Sequence, residues 1–284
     1  MTHTFFANRV GVLATMHRKE KAIAPILEQA LGIKLQLPEN FNTDRFGTFT
    51  RDRDRPGDQR STARLKAESA LELTGESLAI ASEGSFGPHP GFPMIACNCE
   101  LVVLVDRVHN LEIFGQEISL ETNYRHATVC SLEEAQIFAQ TIGFPEHGLV
   151  VMPHASTKNP NEIVKGIVSE AQLLTVVTEA LRRSPTIHLE TDMRALHNPT
   201  RMNVIAKATN NLVTAIQSIC PNCAYPGFEP VEYQPGLPCA LCHFPTDLTR
   251  VAIHHCQHCG FRQEKLFPDG IEAADPAQCP YCNP

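Results

Sequence analysis

Eight cysteines fall in the last 65 residues of this 284-residue chain as four Cys-x-x-Cys pairs: Cys220/Cys223, Cys239/Cys242, Cys256/Cys259 and Cys279/Cys282. A tetrahedral zinc site takes four soft ligands, and each Cys-x-x-Cys turn presents two sulfurs from one tight loop. Fifteen residues separate the first two pairs and nineteen the last two, both within the spacing of four-cysteine zinc sites. The spacing predicts two sequential four-cysteine centres, a tandem zinc ribbon. An interleaved pairing, first pair with third, is the alternative, and four-sulfur tetrahedral sites also suit iron. Complete shells leave no open coordination position, so the two zinc ions are expected to be structural. A tail this rich in Pro and Gly has little to bury and would depend on metal to fold.

The chain therefore divides near residue 218, into an α/β domain (1–217) and a zinc-ribbon-like domain (218–284). At 43% hydrophobic and 19% charged residues, it carries enough apolar material for a core and too little charge for a disordered chain. No apolar run reaches the roughly 20 residues that span a bilayer. The N-terminus lacks the basic start and apolar core of a signal peptide. A soluble, cytoplasmic protein without membrane contact is expected.

Nucleic-acid binding is not expected either. The net charge is −7 and the pI near 6.0, and from residue 218 onward three basic residues face seven acidic ones. Thiolate-bound zinc adds further negative charge, which opposes phosphate-backbone contact. A protein contact or self-association through the tail fits that balance better.

In the first 217 residues, apolar runs and periodicities predict alternating strands and helices, hence an α/β domain with a mixed sheet. Strands are expected at 9–14, 77–82, 100–106, in Gly-Leu-Val-Val-Met-Pro near 150 and in Thr-Ile-His-Leu-Glu near 188. Helices are expected near 20–31, 61–75, 131–142, 169–183 and 199–219. Ser131 and Glu134 have capping-box spacing, and Asn198-Pro199 suits a helix start. Residues 44–60 and the Gly/Pro-rich stretch 83–93 read as loops.

Chemistry can sit at the first strand–turn–helix. A helix N-terminus gathers free N–H groups and partial positive charge, which favours phosphate. Thr15, His17, Arg18, Lys19 and Lys21 add a hydroxyl and cations there. The alternative is that Arg18, Lys19 and Lys21 are simply solvated. The segment VLATMHRKEKAIAPILEQALG resembles the opening strand, T-x-N-x-x-K turn and helix of the house-cleaning nucleoside triphosphate pyrophosphatases, the inosine/xanthosine triphosphatase-like enzymes. RLKAESALELTGESLAIASEGSFG, ELVVLVDRVHNLEIFGQ, GFPEHGLVVMP and ETDMRALHNPTRM follow in the same order as that family's later parts, so the resemblance covers roughly residues 9–205. His17 stands where the family has Asn, its Lys falls at Lys19 or Lys21, and Ser61 occupies the place of a metal-binding Glu. Glu83 matches the family's acidic metal ligand. Over nearly its whole length the chain also resembles an uncharacterised bacterial family of unknown function with a Cys-rich tail.

The resemblance implies a pyrophosphatase-like mixed-sheet fold and hydrolysis of a nucleoside triphosphate, or of another phosphorylated small molecule, with Mg²⁺. Glu83, Asp58 and Asp106 would then supply oxygen ligands, and His197 a functional imidazole. Thr15, His17, Arg18, Lys19, Lys21, Lys66 and Arg201 would meet the phosphates. The alternative is a non-catalytic zinc-ribbon interaction protein with an eroded nucleotide-binding domain. For single residues, Glu83 can cap a loop, Asp106 a strand end, and Lys66 can be a solvated helix lysine. His89 and His154 read as solvent-facing loop residues, and Cys97, Cys99 and Cys130 as ordinary thiols.

Overall fold

In the computed structural model, which describes residues 3–48 and 54–284, a short helix α1 (His3–Phe6) leads into strand β1 (Val10–Ala14). Then come α2 (Glu20–Leu31), β2 (Lys34–Gln36), α3 (Gln59–Thr74), β3 (Leu78–His89), β4 (Phe92–Asp106) and β5 (Leu111–Ser119). The five strands form one sheet in the order β2-β1-β3-β4-β5, with β1 parallel to both its neighbours and the remaining pairs antiparallel.

Local chemistry sets these boundaries. The carboxylate of Asp58 accepts from the backbone N–H of Ser61 and starts α3, which is the N-cap role of a short polar side chain. α2 stops at Gly32, whose φ of 66° is a left-handed value that glycine adopts without a Cβ penalty. α3 turns Ala63, Ala67, Ala70 and Leu71 onto Val12, Ala14, Ala79, Ala81, Leu101 and Val103. The alternate residues Leu13, Ile80, Val102 and Leu104 are buried on the other face of the same strands, as expected of a sheet covered on both sides.

A second sheet follows. β6 (His126–Val129), α4 (Leu132–Thr141), β7 (Leu149–Met152), β8 (Val164–Ile167), α5 (Glu170–Arg183) and β9 (Ile187–Thr191) give an antiparallel sheet ordered β6-β9-β7-β8. Phe138 of α4 and Leu173 and Val177 of α5 pack with Val129, Leu149, Ile167 and Leu189. Ser131 caps α4 as its spacing predicts, although Glu134 reaches back to the N–H of Cys130 rather than of Ser131. α6 (Pro199–Gln217) opens on Asn198, whose Oδ1 accepts from Arg201 N–H at 2.9 Å. It crosses β5 closely: a Cβ on Gly115 would lie 2.2 Å from the backbone N of Leu212, so only glycine fits there.

The chain forms two units, His3–Val213 and Thr214–Pro284. The second is a three-stranded antiparallel meander, β10 (Glu229–Pro235), β11 (Thr249–His255) and β12 (Arg262–Leu266). No helix among the described residues is long and apolar enough to cross a membrane.

One predicted loop is strand instead. Residues 83–93 mostly continue the β3–β4 ribbon, with Phe86 opposite Asn98 and Pro88 opposite Ala96. β1 pairs with β3 only as far as Ala81, and β5 with β4 only from Asn98. Prolines are tolerated there because a strand with one neighbour needs ladder bonds on one side only. Part of the predicted loop 44–60 lies outside the described residues; Thr43–Phe46 forms a 3-10 turn.

Candidate functional sites

The parallel strands β1 and β3 end side by side, Ala14 opposite Ala81, and the chain leaves β1 toward β2 before crossing back to β3. Such a reversal opens a crevice at the carboxyl ends of the strands, the usual ligand position in open α/β sheets. A cleft of about 420 Å³ lies here, lined by His17, Lys19, Asp44, Arg55, Lys66 and Glu83 on one side and Tyr124, Lys165, Glu190, Asp192 and Arg194 on the other, with Arg201 of α6.

Four cations converge around β3. Lys66 pairs with Glu83, and Arg55 reaches the other Glu83 oxygen at 2.9 Å. Arg201 and Glu100, both side chains fully buried, pair at 2.7 Å. Lys19 is 7% exposed, and its amine donates to the Ser82 hydroxyl at 3.1 Å. Burial, reinforced by the positive charges of Arg201 and Lys66, lowers the Lys19 amine to about pKa 7. Burial alone would raise Glu83, but Lys66, Lys19 and Arg55 together hold it below the usual carboxylate range. His17 and Arg18 take left-handed φ values of 63° and 61°, a strained conformation that the His17–Asp44 contact at 3.2 Å helps to hold.

The fold thus brings together His17, Lys19, Lys66, Glu83 and Arg201. It does not bring the other candidates to the cleft. Thr15 is buried, its hydroxyl turned to the Met16 carbonyl; Arg18 and Lys21 are exposed. Asp58 is an exposed helix cap. Asp106 sits opposite Leu78 at the far end of β3, paired with Arg9 and His109. His197 lies against Gly148 and Gly166, and burial keeps its imidazole below the ordinary value. Lys66 is buried and ion-paired, so the solvated reading is corrected: α3 packs flat on the sheet and aims it at Glu83. Arg55, Glu100 and Ser82 were missed because isolated polar residues in loops and strands carry no spacing signal.

Mg²⁺ takes hard oxygen ligands, often one or two carboxylates completed by phosphate oxygens. Glu83 offers one carboxylate, with both oxygens already engaged by cations. Among the described residues, the close groups of three or more metal-ligating side chains are the cysteine sets alone. The cleft presents no preformed group of three metal ligands among the described residues.

The cysteines pair differently from the sequential expectation. Cys220, Cys223, Cys256 and Cys259 form one group and Cys239, Cys242, Cys279 and Cys282 the other, all ligand atoms within 4.8 Å of one another in each. The meander dictates this. β10 carries the chain away from the first knuckle, β11 brings the third back beside it, and β12 leads off again toward the fourth. Seven extended residues span roughly 20 Å, too far for adjacent knuckles to share an ion. A signal was present in the sequence: the first two knuckles read Cys-x-x-Cys-x-(Tyr/Phe)-Pro and the last two do not, so each centre takes one knuckle of each kind.

Sulfur separations of 3.7 Å (Cys220–Cys259), 3.6 Å (Cys223–Cys256), 3.8 Å (Cys239–Cys282) and 3.6 Å (Cys242–Cys279) test the fit of a metal. A tetrahedron with metal–sulfur bonds of about 2.3 Å has edges of about 3.8 Å, so both cysteine sets fit a tetrahedral ion such as zinc. Backbone N–H groups of Cys242 and Leu241 lower the Cys239 thiol to about 7, whereas a hydrogen bond with Cys242 and burial raise Cys282 to about 12, so the four thiols share protons that a bound metal would displace.

Fold and sites define a two-part chain: an α/β unit with a cleft lined by six cations and five carboxylates, and a meander carrying two interleaved four-cysteine groups. Residues 66–284 match the family model described as a domain of unknown function, DUF6671, and the chain belongs to that family. A tyrosine aminotransferase of Caenorhabditis elegans is 28% identical over 85 residues, 30% of this chain and 18% of that protein. The chain thus spans less than a fifth of that curated relative.

Proposed function

We propose that the N-terminal unit binds a phosphorylated small molecule of nucleotide size, and that the C-terminal unit is a structural module holding two zinc ions. The observation that carries the first part is Lys19: a buried amine in a cleft, held by a neutral hydroxyl and crowded by Lys66 and Arg201. Glu83 and Glu100 already pair with Lys66 and Arg201, which leaves Lys19 with no carboxylate partner among the described residues, and an entering phosphate would supply the missing negative charge. The reaction that suits this arrangement is phosphoanhydride hydrolysis. Lys66 and Arg55 would stabilise charge on phosphoryl oxygens, with Arg201 adding its charge from behind them. Lys19, held protonated once a phosphate enters beside it, would add a further positive donor. The resemblance to nucleoside triphosphate pyrophosphatases supports the same reading, in which Glu83 would have to exchange its pairing with Lys66 or Arg55 to hold Mg²⁺ together with the substrate's phosphates. Eleven cysteines with no disulfide, eight of them gathered as metal ligands, suit a reducing, cytoplasmic setting.

Binding without turnover is the second reading, favoured by the double pairing of Glu83 with Lys66 and Arg55. One experiment separates the two. Nucleoside triphosphates are screened with and without Mg²⁺, with pyrophosphate release and calorimetric binding measured on the same metal-analysed protein. Release that disappears in Lys19→Met supports the hydrolase. Binding without release supports the eroded domain, and neither binding nor release for any nucleotide defeats the phosphate-site proposal.

A further inference from the structure

The two cysteine centres are built on one pattern. Cys220, Cys223, Cys256 and Cys259 correspond in turn to Cys239, Cys242, Cys279 and Cys282, with matching sulfur separations. Ala224 and His243, each just after its knuckle, both have φ of 61°. Two residues after each knuckle comes an aromatic ring that packs on the partner knuckle: Tyr225 on His258, centroids 4.0 Å apart, and Phe244 on Tyr281, 4.4 Å apart.

The side chains turned outward differ in kind. At the first centre the knuckle positions hold Asn222 and His258, both exposed and polar, and the Asn222 amide lies 3.5 Å from the Cys259 sulfur. The equivalent positions at the second centre hold Leu241 and Tyr281, 69% and 65% exposed, beside Phe244 at 50%. The first centre shows that the knuckle itself does not need apolar residues there. Exposed apolar side chains grouped in this way mark interaction sites, and an aromatic with one polar tip is a common interface anchor.

We infer that Leu241, Phe244 and Tyr281 form a docking surface on the second centre for a basic, apolar-anchored peptide segment of a protein partner. Charge selects the occupant. This unit carries seven acidic side chains against three basic ones, and each tetrathiolate ion adds negative charge. Two copies of this acidic unit would repel each other as wholes, whereas Lys or Arg flanking an apolar anchor would be drawn toward it.

The test pans phage-displayed random peptides on the zinc-loaded, full-length protein. Leu241→Asn with Tyr281→His copies the outer residues of the first centre and is checked for retained metal; Leu241→Asn alone serves if the pair loses it. The expected result is enrichment of peptides with Lys or Arg beside a bulky apolar residue, their affinity falling about tenfold or more in the variant. Enrichment of acidic or uncharged peptides, no enrichment, or basic peptides binding the variant equally well would overturn the proposal. So would concentration-dependent dimerisation in sedimentation that the same substitutions abolish, because a second copy would then be the occupant.

Discussion

Arg201 and Glu100 show how much one buried pair can decide. Both side chains are inaccessible, and Arg201 also donates to the Met193 carbonyl, tying α6 to the sheet and to the loop after β9. Removing one partner leaves the other charge buried and uncompensated, at about 3–5 kcal/mol. Arg201→Met should therefore destabilise the chain by that order in urea unfolding, and Arg201→Met with Glu100→Leu should recover most of the loss. Lys19 predicts the opposite sign. Its folded value near 7 lies below the ordinary 10.5, so between those pH values the unfolded chain holds a proton that the folded one lacks. Stability should rise with pH across that window. Lys19→Met, which removes the buried amine, should stabilise the protein by about 2 kcal/mol near pH 7. The gain should shrink toward pH 10, as denaturation midpoints at several pH values would show. The sequence offered Lys19 only as one of several cations. Its neighbours decide its chemistry, and those come from β3, α3 and α6.

Elements were more legible than their partnerships. Apolar runs marked β1, β4, β7 and β9, and caps marked α4 and α6, because those signals are local. The β3–β4 ribbon was hidden by Gly and Pro at positions where one neighbouring strand is enough. Knuckle pairing was hidden because the strand lengths of β10 and β11 decide it, and Cys spacing does not report them. That topology makes a prediction for the elements of the tail. Elemental analysis should find two metal ions per chain in reduced protein purified without chelators. Cys239→Ser should lower the content of both centres, since each is closed by knuckles that the same three strands position. Circular dichroism should still show the helices of the N-terminal unit, which has its own buried core.

For the molecule as a whole, the two units divide at Val213 and Thr214, and apolar periodicity gives way to paired cysteines a few residues further along the chain. The cleft was only half readable. The strand–turn–helix pointed to His17 and Lys19, and the resemblance to Lys66, Glu83 and Arg201. Lys165 comes from the second sheet, and Tyr124 and Asp192 from the residues just before β6 and just after β9; the approach of that sheet to the first is a fact of packing that no stretch of sequence contains. The interleaving in the tail has a consequence in time. A ribbon with successive knuckles paired could secure its first ion halfway along its synthesis. Here the earliest cysteine pair must wait for a strand that has gone out and returned, and the second pair for the strand after that. On the zinc reading, neither ion can be held before the chain has passed the intervening knuckle, so register and metal capture would be reached together.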